Sequence, residues 1–107
     1  MKRVGQVIKV KPEYLEKYKA LHANLWPEVN EMIKKCNIQN YSIYYRGGYL
    51  FSYFEYVGDN YEEDMKKMAA DPKTQEWWKE TDPCQEPVEF AKPGEWWADT
   101  EEVYHLD

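Results

Sequence analysis

Cysteine is scarce in this 107-residue chain, with only Cys36 and Cys84. They have neither metal-ligand spacing nor a histidine close by in sequence, so a structural metal site has no support. They read as reduced thiols rather than a disulfide pair, as in a cytoplasmic protein. Positive charge is also short. Twenty acidic side chains outnumber fourteen basic ones, and the formal net charge is -6. That balance argues against a nucleic-acid partner, whose phosphates are held mainly by Lys and Arg. No run is long and apolar enough to span a bilayer. The opening residues, MKRVGQVIKV, lack the apolar centre and cleavage site of a signal peptide. A glycine-rich phosphate loop, HExxH and CxxC are all missing, and with them the usual signals for nucleotide, catalytic-zinc and dithiol chemistry. There is no internal repeat or low-complexity segment. The expectation is one cytoplasmic domain over residues 1–107, with no membrane, nucleic acid, metal or cofactor.

Aromatic residues are abundant by contrast: 17% of the chain, including ten Tyr and five Trp. A domain this size buries roughly two-thirds of its unfolded surface. It cannot take in all those rings without stranding hydroxyls and indole N–H groups. Some are expected to line a pocket or an interface.

Val4, Ile8 and Val10 fall on one side of an extended segment and Val7 on the other. Pro12 suits a first helical turn. Leu15, Tyr18, His22, Leu25, Val29, Met32 and Cys36 then step by threes and fours, a helical stripe widened by Leu21 and Ile33. Pro27 is expected to kink or restart that helix near Trp26. Residues 40–46 (NYSIYYR) and 49–57 (YLFSYFEYV) flank Gly47-Gly48, a hairpin pattern. Asn60 with Glu63 predicts a capped helix carrying Met65 and Met68 inside. Asp71-Pro72 marks a break and a new helical start running through Trp77-Trp78. Residues 82–100 hold three prolines and read as irregular, and EEVYHL (101–106) alternates as a final strand.

The order β-α-β-β-α-β is α+β and ferredoxin-like: an antiparallel sheet with its helices on one face. The other face also carries apolar and aromatic side chains. A second copy of the chain is the simplest cover, giving a homodimer. The alternative is a monomer whose long loop folds over the sheet.

His22 titrates near neutral pH and follows Tyr18 by one turn, so the two share the inward face of the first helix. The plain alternative is a core histidine bonded to Tyr18 or to a backbone carbonyl. Tyr18 serves equally as core ring or ligand contact. Tyr41 opens a strand and can place its hydroxyl near His22, or simply pack. Trp77 and Trp78 project about 100° apart, so one is expected in the core and the other at a cleft. Trp26 and Trp96-Trp97 either close that cavity or meet a partner. His105 reads as structural. NYEED and EEVYHLD read as solvated charge. Rings to stack on C–H faces, neutral donors and one group titrating near pH 7 are what a neutral sugar requires.

Tyr18-x-x-x-His22, Leu25-Trp26-Pro27-Glu28, Asn40-Tyr41-Ser42-Ile43-Tyr44, Trp77-Trp78 and Glu102-Val103-Tyr104-His105-Leu106-Asp107 resemble, in order and spacing, the L-rhamnose mutarotase family. The likeness runs over nearly the whole chain. It implies a dimeric α/β barrel that interconverts the α and β anomers of L-rhamnose or a related 6-deoxy-hexose, without a cofactor. It implies His22 as the proton donor and Tyr18, Tyr41, Trp77 and Trp78 as sugar contacts; the expected mechanism has protonated His22 donating to the ring oxygen while a base, a tyrosine-bound water, takes the anomeric proton. Two departures stand out. The run His22-Ala23-Asn24-Leu25 lacks the proline that often follows Asn there, and Asp82–Asp99 is longer and richer in Trp and Pro, which bears on the favoured sugar. The same fold also hosts monooxygenases and non-catalytic small-molecule-binding dimers, and these stay as rival functions.

Overall fold

The computed structural model describes residues 1–107. Strand β1 (Lys2–Val10) lies inside the sheet, antiparallel to β3 (Tyr49–Tyr56) along its whole length. Period-2 alternation sends Val4, Ile8 and Val10 to one face and Val7 to the other, as the spacing predicts. Strand β2 (Ile38–Arg46) joins β3 through Gly47-Gly48. Both glycines have positive φ, 58° and 92°, the backbone that a two-residue hairpin turn matching the strand twist requires.

Between β1 and β2 the stripe folds as one 3-10 turn (Pro12–Tyr14) and two helices, α1 (Leu15–Ala23) and α2 (Pro27–Lys35). Pro27 restarts the helix rather than kinking it, because its missing N–H costs nothing in a first turn. After β3 come α3 (Tyr61–Ala70) and α4 (Pro72–Thr81). Asn60 caps α3 by accepting the Glu63 N–H at 3.2 Å. Asp71 ends α3 and caps α4, with Oδ2 accepting both the backbone N–H and the Oγ1–H of buried Thr74, each at 2.9 Å. Asp71→Ala is expected to cost about 1–2 kcal/mol in denaturant titration, and Asp71→Asn much less. A negligible cost for Asp71→Ala would mean the cap contributes nothing.

The sheet order is β2-β3-β1-β4, the ferredoxin-like order. The fourth position differs from expectation. It is filled by two two-residue strands from the segment read as irregular: β4 (Gln85–Glu86) on Lys9–Val10 and β5 (Ala98–Asp99) on Gln6–Val7, both antiparallel. Residues 101–106 form no strand. Val103, Tyr104 and Leu106 are 84%, 76% and 76% exposed, so the alternation there meets neither a ladder nor an apolar surface. The ladder stops where Thr100 donates N–H and Oγ1–H to the Gly5 carbonyl. A Cβ on Gly5 would sit 2.8 Å from Thr100 Oγ1, so this close approach needs glycine. Beyond it, Arg3 holds Glu102 at 2.9 Å, and His105 lies between Asp107 and Glu102 on the exposed tail.

The core is three small clusters rather than one. Ile8, Val10, Tyr18, Leu50 and Cys84 form the first; Val4, Ile38, Phe54 and Tyr56 form the second, with Met65 and Met68 half-buried against it. Both cysteines are free and fully buried. Val7, Val88 and Ala98 make the third, on the opposite sheet face, so the long segment covers part of that face. The NYEED run is not wholly solvated. Asp64 is buried and accepts Tyr56 Oη–H at 2.6 Å and Asn37 Nδ2–H at 2.9 Å. Those two donors hold its carboxyl below the usual carboxylate range. Tyr61, Asp64, Met65 and Met68 share one helix face, which is why this acid turns inward. No helix is long and apolar enough to cross a membrane.

Candidate functional site

A cleft of about 730 Å³ opens between the helices and the helix-facing side of β2. Its size falls within the roughly 300–1,000 Å³ of small-molecule sites. Tyr18 and His22 of α1, Tyr41 of β2 and Trp77 of α4 all line it. So do Leu15, Val29, Ile33, Ile43 and Leu50, which make most of the wall apolar.

Tyr41 reaches this side because β2 carries a bulge. Ile38 and Gln39 pair with Tyr56 and Glu55, but the next partner pair is Ser42 with Tyr53. One extra residue on β2 switches its parity, so Tyr41, Ile43 and Tyr45 follow Ile38 onto the helix side. Asn40 absorbs the change at φ 51°, a left-handed conformation that Asn tolerates better than most residues. Its Nδ2–H donates to Glu55 Oε1 at 2.6 Å. The Tyr41 ring packs on Phe54, centroids 5.3 Å apart. The residue as a whole is 42% exposed, and burial around its hydroxyl raises its pKa.

His22 is half-buried. Its Nδ1 lies 2.9 Å from the Tyr18 carbonyl oxygen. A carbonyl only accepts, so Nδ1 carries the hydrogen and Nε2 is left unbonded by the protein. Burial pushes the His22 pKa below 6.5, opposed by that bond. The ring is wedged between Tyr18, centroid at 4.3 Å, and the edge of Trp77, at 5.3 Å. Trp26 in turn meets Trp77 edge-on at 5.3 Å. Tyr18 is buried, and burial raises its pKa so that the phenol keeps its proton.

Trp77 is 6% exposed, whereas Trp78 is 37% exposed and lies outside the cleft wall. Trp26, Trp96 and Trp97 are also not in the wall. Trp97 packs on the first core cluster and Trp96 stays exposed. Sequence reasoning did not single out Tyr45, which lines the cleft with the Lys19 ammonium 5.8 Å from its ring. Its face is set by the bulge at Asn40, which exists only in register with β3 and leaves no local sequence signal. Nor did it single out Gln85, whose Nε2 lies 3.2 Å from Tyr18 Oη.

The arrangement joins one imidazole with a free nitrogen, two protonated phenols and an indole around an apolar-walled cleft. Such a set can move a proton at one oxygen while holding a small hydroxylated ring.

The fold is shared with the crystal structure of L-rhamnose mutarotase from Formosa agariphila, at TM-score 0.78 and 22% identity over all of both chains. It is shared too with tetracenomycin F2 cyclase from Streptomyces glaucescens, at TM-score 0.73 and 16% identity, over all of this chain and 98% of that one. In sequence the chain is 36% identical to L-rhamnose mutarotase of Lactiplantibacillus plantarum and 35% identical to that of Bacillus subtilis, in each case over the full length of both. The L-rhamnose mutarotase family model matches residues 3–106. With that match spanning β1, the cleft and the tail, this chain belongs to the L-rhamnose mutarotase family.

Proposed function

We propose that this protein is a mutarotase, an isomerase that interconverts the α and β anomers of L-rhamnose or a related 6-deoxy-hexose. The observation that carries the reading is the meeting of Tyr18, His22, Tyr41 and Trp77 in one apolar-walled cleft, with His22 Nε2 left free. The sugar's C–H faces and methyl group suit the aromatic and aliphatic wall, and its hydroxyls suit the phenols.

Anomer exchange requires the C1–O5 bond to break. One proton leaves the anomeric hydroxyl O1 and one arrives on the ring oxygen O5, giving the open-chain aldehyde. Rotation about C1–C2 and closure in the reverse sense give the other anomer. His22 enters in its neutral form, because burial disfavours the imidazolium. Nε2 takes the O1 proton on opening and, as imidazolium, gives it back on closing. This replaces the expected step in which protonated His22 donates to the ring oxygen: here His22 donates only on closing, and to O1. The proton that arrives on O5 comes from a phenol that is protonated at rest, Tyr18 or Tyr41, and goes back from O5 to that phenolate on closing. Tyr18, Tyr41 and Trp77 bind sugar in this reading, and Trp78 acts only from outside the cleft. Polarimetry on freshly dissolved α-L-rhamnose tests the reaction. A faster approach to equilibrium with protein supports it, and an unchanged rate contradicts it.

The chain works as a single domain in the cytoplasm, where its buried free thiols stay reduced. It works as a homodimer through the second sheet face. Tyr44 and Phe51, Cα partners across β2 and β3, are 66% and 45% exposed there. Light scattering should give a dimer mass for the native protein and a monomer mass for Tyr44→Lys/Phe51→Lys. A native monomer mass would contradict the dimer.

A further inference from the structure

Gln85 belongs to neither the sequence motifs nor the cleft wall. It sits on β4 opposite Val10, which points it toward the helices. It is 4% exposed, against the apolar cluster of Ile8, Val10, Leu50 and Cys84 that also contains Tyr18. A buried amide is costly unless bonded. The bond it makes is Nε2–H to Tyr18 Oη, at 3.2 Å, across 67 residues of sequence. Two apolar side chains of the same shape would serve packing equally well, so the polar pair calls for another reason.

A phenol oxygen that receives an N–H keeps its own O–H to give away. Gln85 is the protein partner of this hydroxyl, and Tyr18 lines the cleft beside His22. We infer that Gln85 is a positioning residue: by donating its amide N–H to Tyr18 Oη, it commits the Tyr18 hydroxyl to donate into the cleft, toward a sugar oxygen. The inference rests on the mutarotase reading of that cleft. It assigns the donor at O5 to Tyr18 rather than Tyr41, and it brings the long segment after α4 into the site through one side chain. Burial keeps Tyr18 protonated at rest, so it enters the opening step as the donor to O5 and not as a phenolate base.

The test is a double-substitution cycle on anomer exchange of L-rhamnose, with Gln85→Met, Tyr18→Phe and the pair, each checked for folding by circular dichroism melts. Gln85→Met is expected to lower kcat/KM roughly tenfold in the native background. In the Tyr18→Phe background it is expected to change it by less than about twofold, the margin of independent sites. Gln85→Glu keeps the shape and, assayed at alkaline pH where the buried carboxyl is ionised, offers only acceptors. It turns the Tyr18 O–H away from the cleft and should lose at least as much as Gln85→Met. Additive losses, or a fully active Gln85→Glu that melts like the native protein, would overturn the positioning role while leaving the mutarotase reading intact. No exchange by the native protein would overturn both.

Discussion

His22→Asn is expected to lower kcat for anomer exchange by roughly 10²–10⁴-fold, the usual worth of a general acid/base group, with little change in sugar affinity. Asn keeps a short amide that can still donate to the Tyr18 carbonyl, the bond that anchors the ring at Nδ1. It has nothing at the place of Nε2, the one nitrogen free to meet the sugar. Loss in kcat without loss of binding is the pattern of a group acting in the transition state. The pH profile carries the sign. Burial lowers the His22 pKa from 6.5, so the neutral ring is the working form at neutral pH. Activity should therefore rise with pH through a value below 6.5 and stay level through neutrality. A resting enzyme that needed imidazolium would show the opposite limb, fastest in acid and slowing across the same pKa. Full activity in His22→Asn would remove His22 from the chemistry.

Trp77→Ala is expected to destabilise the fold by about 3–5 kcal/mol, the cost of truncating a buried tryptophan. Trp78→Ala should cost about 1 kcal/mol, typical of a side chain not locked in the core. Trp77 is 6% exposed and its edge contacts hold both His22 and Trp26 in place, whereas Trp78 is 37% exposed. Urea titration of both variants checks the contrast. Trp77→Phe, which keeps a ring and most of the packing, is the variant for activity. It should retain the fold and weaken turnover through a looser His22. Equal destabilisation by the two alanine variants would contradict the division of labour between them.

Local chemistry was the legible part of the sequence. Asn60, Asp71-Pro72 and Gly47-Gly48 act on their own neighbours, so the helix starts and the hairpin follow from short windows. The stripe from Leu15 to Cys36 is kept within each helix on either side of the break, but Leu25 falls between the helices and is 40% exposed. Tyr18 and His22 were one turn apart on that stripe, and their shared direction was visible at once. What was hidden depends on distant pairing. The bulge at Asn40 exists only in register with β3, and it decides which face Tyr41 takes. Strands β4 and β5 are two residues each, too short for any period to show, and they exist because β1 offers an open edge. EEVYHL had the period of a strand, but its pairing along β1 ends at the Thr100–Gly5 bonds and does not extend to residues 2–4. Asp64 looked like surface charge until Tyr56 and Asn37, from two other segments, met it. Gln85 had no signal of its own, because its partner is 67 residues away.

The most direct measurement is NMR saturation transfer between the α and β anomeric protons, with L-rhamnose and a panel of other free aldoses, in the presence of native protein or His22→Asn. Faster exchange on L-rhamnose or another 6-deoxy-hexose, lost in His22→Asn, is the expected result. No acceleration of any sugar by the native protein would contradict the mutarotase function itself.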